Sequence, residues 1–158
     1  MRKLVAAIAA ALSFGAAGCA EEDQKTGGQS LAAGAEQMGE STMKPLAREV
    51  SVTDLPPIVA SGDVTLIDVR RPNEWAETGM AEGAIGATLQ DADFIDQVRA
   101  ALGGDTSKPV ALICRSGGRS ATAQKKLEAA GFSQVTNVTG GTLDWIENDL
   151  PMTEYVAD

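Results

Sequence analysis

The chain has no histidine among its 158 residues. That absence removes the commonest general base, the commonest metal ligand and the usual partner of a catalytic cysteine, so papain-like and zinc-enzyme chemistries are excluded at the outset. Aromatic residues are scarce at 4% while apolar residues reach 44%. The core must therefore be aliphatic, which suits an α/β domain built on Val, Leu, Ile and Ala. No cluster of Lys and Arg is present to meet a phosphate backbone, and the formal charge of −9 argues against a nucleic-acid partner. Internal repeats are absent, and beyond one domain of about 100 to 150 residues there is no room for a second. No metal or cofactor is expected.

What is present begins with an address. Residues 1–18 place Arg2 and Lys3 ahead of the apolar run LVAAIAAALSFGAAG, a charged start followed by a stretch too short to span a bilayer, as in a secretory signal. Its end, Ala16-Ala17-Gly18-Cys19, resembles the lipobox of bacterial lipoproteins, with Ala16 where that family usually has Leu. The resemblance implies that Cys19 becomes the lipidated first residue of the mature protein, facing the periplasm in the cell envelope. The alternative is cleavage near Ala17 or Ala20 to give a soluble periplasmic protein. Removing the signal takes two basic residues and no acid, so attachment to a membrane would come through acyl chains on Cys19 alone and not through charge. Residues 19–48 are rich in Gly, Ala, Ser, Gln and Glu and read as a flexible tether.

Residues 49–158 alternate short apolar runs with helical patterns. Residues 64–70, 84–89, 110–114 and 134–138 are strand-like, and the first and third are apolar enough to be covered on both faces. Helices are predicted over 91–102 and 120–131, closed by Gly103 and Gly131, with shorter ones after Thr53 and near residues 142–149. Asp91, Asp93 and Asp96 are expected on a solvated helix face, Trp145 in the core, and Trp75 in the core or at its rim. The order predicts a parallel sheet of about five strands between helical layers.

The chemistry concentrates in Cys114-Arg115-Ser116-Gly117-Gly118-Arg119-Ser120. Ligands of parallel sheets bind beyond the carboxyl ends of the strands, where the next helix begins. Cys114 stands at such an edge. With Cys19 lipidated it has no disulfide partner, whereas an unlipidated Cys19 would leave a Cys19 to Cys114 bridge as the other option. Backbone N–H groups of the loop, the helix N-terminus near Ser120, and Arg115 and Arg119 all favour a thiolate, and two glycines allow close approach of the backbone. Which of the two arginines points inward is left open by the sequence. So is the choice between a nucleophile and a small buried residue at a strand end.

The loop resembles the active-site loop of the rhodanese family of sulfurtransferases. The likeness runs over residues 50–151 and takes in LIDVR with PNEW (66–75), Gly83-Ala84, the loop, and VTGGTLDW (138–145). It implies a rhodanese-like three-layer α/β/α fold with a central parallel sheet, and a persulfide on Cys114 inside a cradle of Arg115, Ser116, Gly117, Gly118 and Arg119. Asp68, Arg70 and Glu74 become supporting residues, Asp68 or Glu74 pairing with an arginine to hold the loop, or Asp68 serving as a cap. Gly140 and Gly141 are read as backbone geometry. The implied partners are a small anionic sulfur donor and a cyanide or thiol acceptor, a protein acceptor included. Six residues from Cys114 to Arg119 match sulfur-transfer members, whereas the related phosphatases carry a longer loop, which leaves a Cys-dependent phosphatase or arsenate reductase as the less favoured alternative. The chain departs from the family at Met80-Ala81-Glu82, where His-Ile-Pro is usual. That keeps open a rhodanese-fold carrier or binding module with little turnover.

Overall fold

A computed structural model describes residues 45–157. The signal, Cys19 and nearly all of the tether expected from the sequence lie outside the described residues. Five strands form one parallel sheet in the order β1-β6-β5-β2-β4: β1 is Glu49–Ser51, β2 Thr65–Asp68, β4 Ile85–Gly86, β5 Val110–Ile113 and β6 Val135–Thr139. Two further strands, β3 at Met80–Ala81 and β7 at Met152–Thr153, pair antiparallel as a separate ribbon. The α/β architecture with a five-stranded parallel sheet is therefore as expected.

Alternation along the central strands builds the three layers. Successive strand residues face opposite sides. On β2 and β5, Ile67, Val110, Leu112 and then Cys114 join one buried cluster with Phe94, Val98, Ala123, Leu127 and Phe132. That side is closed by α3 (Phe94–Ala101) and α4 (Gly118–Ala129). Leu66, Ala111 and Ile113 face the other way, with Val52, Leu55, Val138 and Trp145. Here the cover comes from a 3-10 turn at Val52–Asp54, α1 (Pro56–Ala60) and α5 (Gly141–Glu147). At about 25 cal/mol per Å² of apolar surface, these two clusters are the main source of stability.

Several elements differ from the sequence expectation. Helix α3 begins at Phe94, so Asp91 and Asp93 precede it and only Asp96 lies on it; Asp91 is the start of a turn whose carbonyl accepts from Phe94 N–H. Helix α4 begins two residues early, at Gly118. The run 84–89 contributes only the two paired residues of β4. Four elements were not expected: the ribbon strands β3 and β7; β1, which has no apolar run and is held by its ladder to β6; and α2 (Pro72–Thr78), opened by Pro72, whose lack of an N–H costs nothing at a helix start. Backbone contact with the domain begins at Ala47 and Arg48, whose carbonyls accept from the Thr136 hydroxyl and from Asn137 N–H.

Met80, at the departure from the rhodanese pattern, is buried, in the β3–β7 ribbon. Trp75, on α2, is buried and meets Tyr155 edge-on at 5.2 Å between ring centres.

Candidate active site

Cys114 leaves the end of β5 fully enclosed, only 1% exposed. Its Sγ accepts a hydrogen bond from Gly117 N–H at 3.1 Å and lies 3.4 Å from Ser120 Oγ. The Ser120 hydroxyl is also 3.0 Å from the Gly117 carbonyl. A hydroxyl has one proton to give, so it turns toward Sγ when the sulfur is an anion and toward the carbonyl when it is not. Ser120 was not singled out as a site residue from the sequence. The signal that could have found it is its place in the first turn of α4, where side chains lean back toward the helix N-terminus and so over the loop.

The loop is shaped from outside as well as from within. Thr142 N–H and Leu143 N–H, in the first turn of α5, donate to the carbonyls of Cys114 and Arg115 at 2.8 and 3.1 Å. In a trans peptide the C=O and N–H point in opposite directions, so these bonds turn the N–H groups of Arg115 and Ser116 away from α5. Gly141 makes the approach possible. A methyl there would meet Arg115 O at 2.7 Å and overlap the Cys114 carbonyl, at a φ of +63°.

Of the two loop glycines, only Gly117 is required by its backbone, at φ +92°. Gly118 is the first helical residue, and nothing stands within 4 Å of where its Cβ would be. The paired glycines of the sequence therefore do unequal work.

Burial pushes the Cys114 thiol up, but the Ser120 hydroxyl and the backbone N–H groups of Ser120, Ser116 and Gly117 outweigh it, and the net shift is downward. Hydrogen bonds to the charged form favour that form. The chain thus lowers a thiol pKa without histidine.

Arg119 does not turn its fork to the sulfur. Its two terminal nitrogens donate to the two carboxylate oxygens of Glu74, each at 2.6 Å. Glu74 also accepts from Arg71 N–H at 3.2 Å, closing the first turn of α2. The Arg119 bonds, opposed by burial and aided by the Arg71 N–H, pull the Glu74 carboxyl down to about 2. In return Glu74 raises the Arg119 guanidinium above its ordinary value. Of the two acids offered by the sequence as partner to a loop arginine, Glu74 is the one that makes the contact.

Asp68 and Arg70 instead serve each other. Both are buried, at 0% and 2% exposure, and Arg70 Nη2 donates to Asp68 Oδ2 at 2.7 Å while Arg70 Nε reaches the same carboxylate at 3.0 Å. The remaining Arg70 donors go to the Thr78 hydroxyl and the Gly79 carbonyl. Asp68 also accepts from Arg70 N–H, so it is a local cap as well as an ion-pair partner.

Cys114, Ser116, Gly117, Arg119 and Glu74 are thereby brought together, Asp68 and Arg70 form a buried clamp under α2, and Arg115 lies exposed on the rim. Beside the loop runs a groove of about 270 Å³ whose walls include Glu74, Glu77, Arg115, Thr142, Leu143 and Ile146.

Comparison with known proteins agrees with this geometry. The model of the rhodanese-like domain family matches residues 51–148. Over 111 residues the chain is 35% identical to thiosulfate sulfurtransferase 16, chloroplastic, of Arabidopsis thaliana, covering 65% of this chain and 89% of that protein. A sulfurtransferase of Allochromatium vinosum is 33% identical over 57% of this chain and 78% of its own length. Among solved structures, the polysulfide-sulfur transferase homodimer of Wolinella succinogenes is similar with a TM-score of 0.57 and 29% identity, over 68% of this chain and 78% of that one. Other curated relatives are matched over less of their length: the chain spans 46% and 51% of two of them, and 38% or less of several tRNA uridine(34) hydroxylases.

Proposed function

The chain belongs to the rhodanese-like domain family, and on that premise we propose that it is a sulfurtransferase that carries a sulfane sulfur as a persulfide on Cys114. The observation that carries the reading is the position of Cys114 Sγ, enclosed by the six-residue loop with Gly117 N–H at 3.1 Å and Ser120 Oγ at 3.4 Å. These donors suit a sulfur anion, and they are in place before any substrate arrives.

The reaction is two displacements at sulfur. The Cys114 thiolate attacks the outer sulfur of the donor, either thiosulfate or a persulfide. A sulfur–sulfur bond forms to Cys114, the donor's own sulfur–sulfur bond breaks, and its electron pair leaves with sulfite or a thiolate. An acceptor, cyanide or a thiol, then attacks the outer sulfur and returns the Cys114 thiolate. Gly117 N–H and the Ser120 hydroxyl hold the negative charge of the Cys114 thiolate before loading and after discharge, and the Thr142 and Leu143 N–H groups keep the loop in the shape that presents them. Arg119 contributes by fixing the start of α4 through Glu74.

Placement in the envelope belongs to the same proposal: a signal over residues 1–18, a lipid on Cys19, and the residues between Cys19 and the first domain contacts at Ala47 and Arg48 as the tether that lets the domain reach its partners. Labelling with a radioactive fatty acid checks it, and a protein whose Cys19→Ala variant takes up as much label as the wild type would end it.

Incubation with thiosulfate or a hydropersulfide, followed by mass spectrometry, tests the catalytic proposal. The expected result is the gain of one sulfur atom on the Cys114 peptide and its discharge by cyanide as thiocyanate, both absent from Cys114→Ser. A wild-type protein that gains no sulfur from either donor would refute it. One that gains sulfur but never discharges it would support the carrier reading kept open by Met80-Ala81-Glu82.

A further inference from the structure

Resting on the reading of Cys114 as the reacting sulfur, we propose that Tyr155 is a positioning residue for the active-site loop. Seated edge-on against Trp75, it holds α2 in the rotation that keeps Glu74 on Arg119, so the loop around Cys114 depends on the segment that follows β7.

Helix α2 does not hold that position unaided. It has seven residues, and a helix this short is marginal in water without tertiary support. Its C-terminal end is pinned by Arg70, whose donors reach the Thr78 hydroxyl and the Gly79 carbonyl. Rotation about its axis is set by Trp75. Glu74 and Trp75 are consecutive and leave the helix about 100° apart, so a turn that frees the Trp75 ring also carries the Glu74 carboxylate away from Arg119.

Trp75 has two supports of unequal strength. Its six-membered ring lies against Gly86 of β4, so closely that a methyl at Gly86 would stand 2.6 Å from Trp75 Cη2. Tyr155 meets it with ring centres 5.2 Å apart and planes at 61°. Gly86 belongs to the parallel sheet, whereas Tyr155 belongs to a segment with few ties. Strand β7 pairs only Thr153 with Met80 and Met152 with Ala81. Beyond Thr153 the segment has no hydrogen bond outside that ladder and no ion pair among the described residues, and Val156 is 80% exposed. The aromatic contact is the tie that remains.

Seating the indole also has a cost. Trp75 Nε1 is buried without a hydrogen-bond partner among the described residues, and a buried donor with no acceptor gives up the bond it makes to water. Packing against Gly86 and Tyr155 offsets that loss. Removing the Tyr155 ring therefore tips the balance toward a hydrated indole and a rotated α2.

From Trp75 the route to the loop is short. Glu74 takes both terminal nitrogens of Arg119 at 2.6 Å. Arg119 directly precedes Ser120, whose Oγ is 3.4 Å from Cys114 Sγ, and follows the turn in which Gly117 N–H reaches the sulfur at 3.1 Å. Tyr155, Trp75 and Glu74 make no hydrogen bond to Sγ; they act by keeping those two donors in place.

The experiment compares wild type, Tyr155→Ala, Tyr155→Phe and Val156→Ala in the full chain. Amide hydrogen exchange over residues 114–120 should be faster in Tyr155→Ala by about two- to tenfold, the fold-change that an aromatic pair is worth, and unchanged over β2 and β5. Tryptophan emission should shift to the red as Trp75 is wetted, while Trp145, 1% exposed, stays dry. The midpoint of Cys114 alkylation by iodoacetamide against pH should rise, because Gly117 N–H and the Ser120 hydroxyl favour the thiolate only when held at the sulfur. Tyr155→Phe keeps the ring and should match wild type in all three, as should Val156→Ala. In a Glu74→Gln background Tyr155→Ala should have no further effect on loop exchange, since the route is already broken. Should Tyr155→Ala not fold, Tyr155→Leu gives the same comparisons. Loop exchange and midpoint that stay at wild-type values, failure of Tyr155→Phe to restore them, or an effect undiminished by Glu74→Gln would each overturn the proposal. None of these measurements uses a sulfur donor, so that failure would leave sulfur transfer intact, whereas a Cys114 that never gains sulfur would remove the carrier reading alone.

Discussion

The carboxylate of Glu74 and the guanidinium of Arg119, 45 positions apart in sequence, are joined by two parallel hydrogen bonds of 2.6 Å. This one contact ties the first turn of α2 to the first turn of α4, and through α4 it fixes the loop that surrounds Cys114.

The pair makes stability depend on acid in a defined window. Glu74 is ordinarily a carboxyl of pKa 4.5 and is held at about 2 in the folded protein. A depressed pKa means that the unfolded chain binds more protons between those values, so the contribution is complete above 4.5 and is lost as pH falls toward 2. Chemical denaturation across that range should show wild type losing on the order of 2 kcal/mol that Glu74→Gln does not lose. Parallel curves for the two proteins would show that the pair does not hold the fold.

Ser120 should set the acidity of the nucleophile. Replacing its hydroxyl removes a bond to the charged form of Cys114, so Ser120→Ala is expected to raise the thiol pKa. The rate of iodoacetamide alkylation against pH reads this directly, with the midpoint moving up in Ser120→Ala and returning in Ser120→Thr. A midpoint that stays in place would leave activation to the backbone N–H groups alone.

Gly141→Ala should damage the site more than its position outside the loop suggests. The added methyl collides with the Cys114 and Arg115 carbonyls at a positive φ, and strain of that kind costs about 1 to 3 kcal/mol before the overlap is counted. Thermal unfolding should show a lower Tm and alkylation of Cys114 a changed rate. Gly118→Ala, with open space around it, should change neither by much.

The buried Asp68–Arg70 pair predicts an asymmetry. Removing one partner strands a charge, so Arg70→Met should cost about 3 to 5 kcal/mol. Asp68→Asn/Arg70→Met should recover part of that loss, because no uncompensated charge is left behind. Guanidinium melts of the three proteins measure it, and a double variant no better than the single would show that the Thr78 and Gly79 contacts of Arg70 matter more than the charge.

Legibility in the sequence followed the range of the interaction concerned. The central strands β2 and β5 were readable because a strand covered on both faces must be apolar along its length, and Leu66, Ile67, Ala111, Leu112 and Ile113 are all 0% exposed. Strand β1 was not, because Glu49-Val50-Ser51 carries no pattern of its own and becomes a strand only by pairing with β6. The choice between Asp68 and Glu74 as the loop's partner was open for the same reason. Both acids lie on the same short stretch, and only the direction in which β2 and α2 leave each other sends one to Arg70 and the other to Arg119.

Some features needed nothing beyond the order of residues: the position of Cys114 at the end of a buried strand, the six-residue spacing to Arg119, and the absence of histidine, which obliges backbone and hydroxyl groups to lower the thiol pKa. These are local in the chain, and local spacing is what a sequence records. Tertiary structure alone decided that Arg119 pairs with Glu74, that Ser120 reaches Sγ, and that α5 shapes the loop through Cys114 and Arg115 carbonyls. Each of those depends on two segments meeting at hydrogen-bond distance, and that distance is fixed by the packing of helices on a sheet and not by either segment by itself.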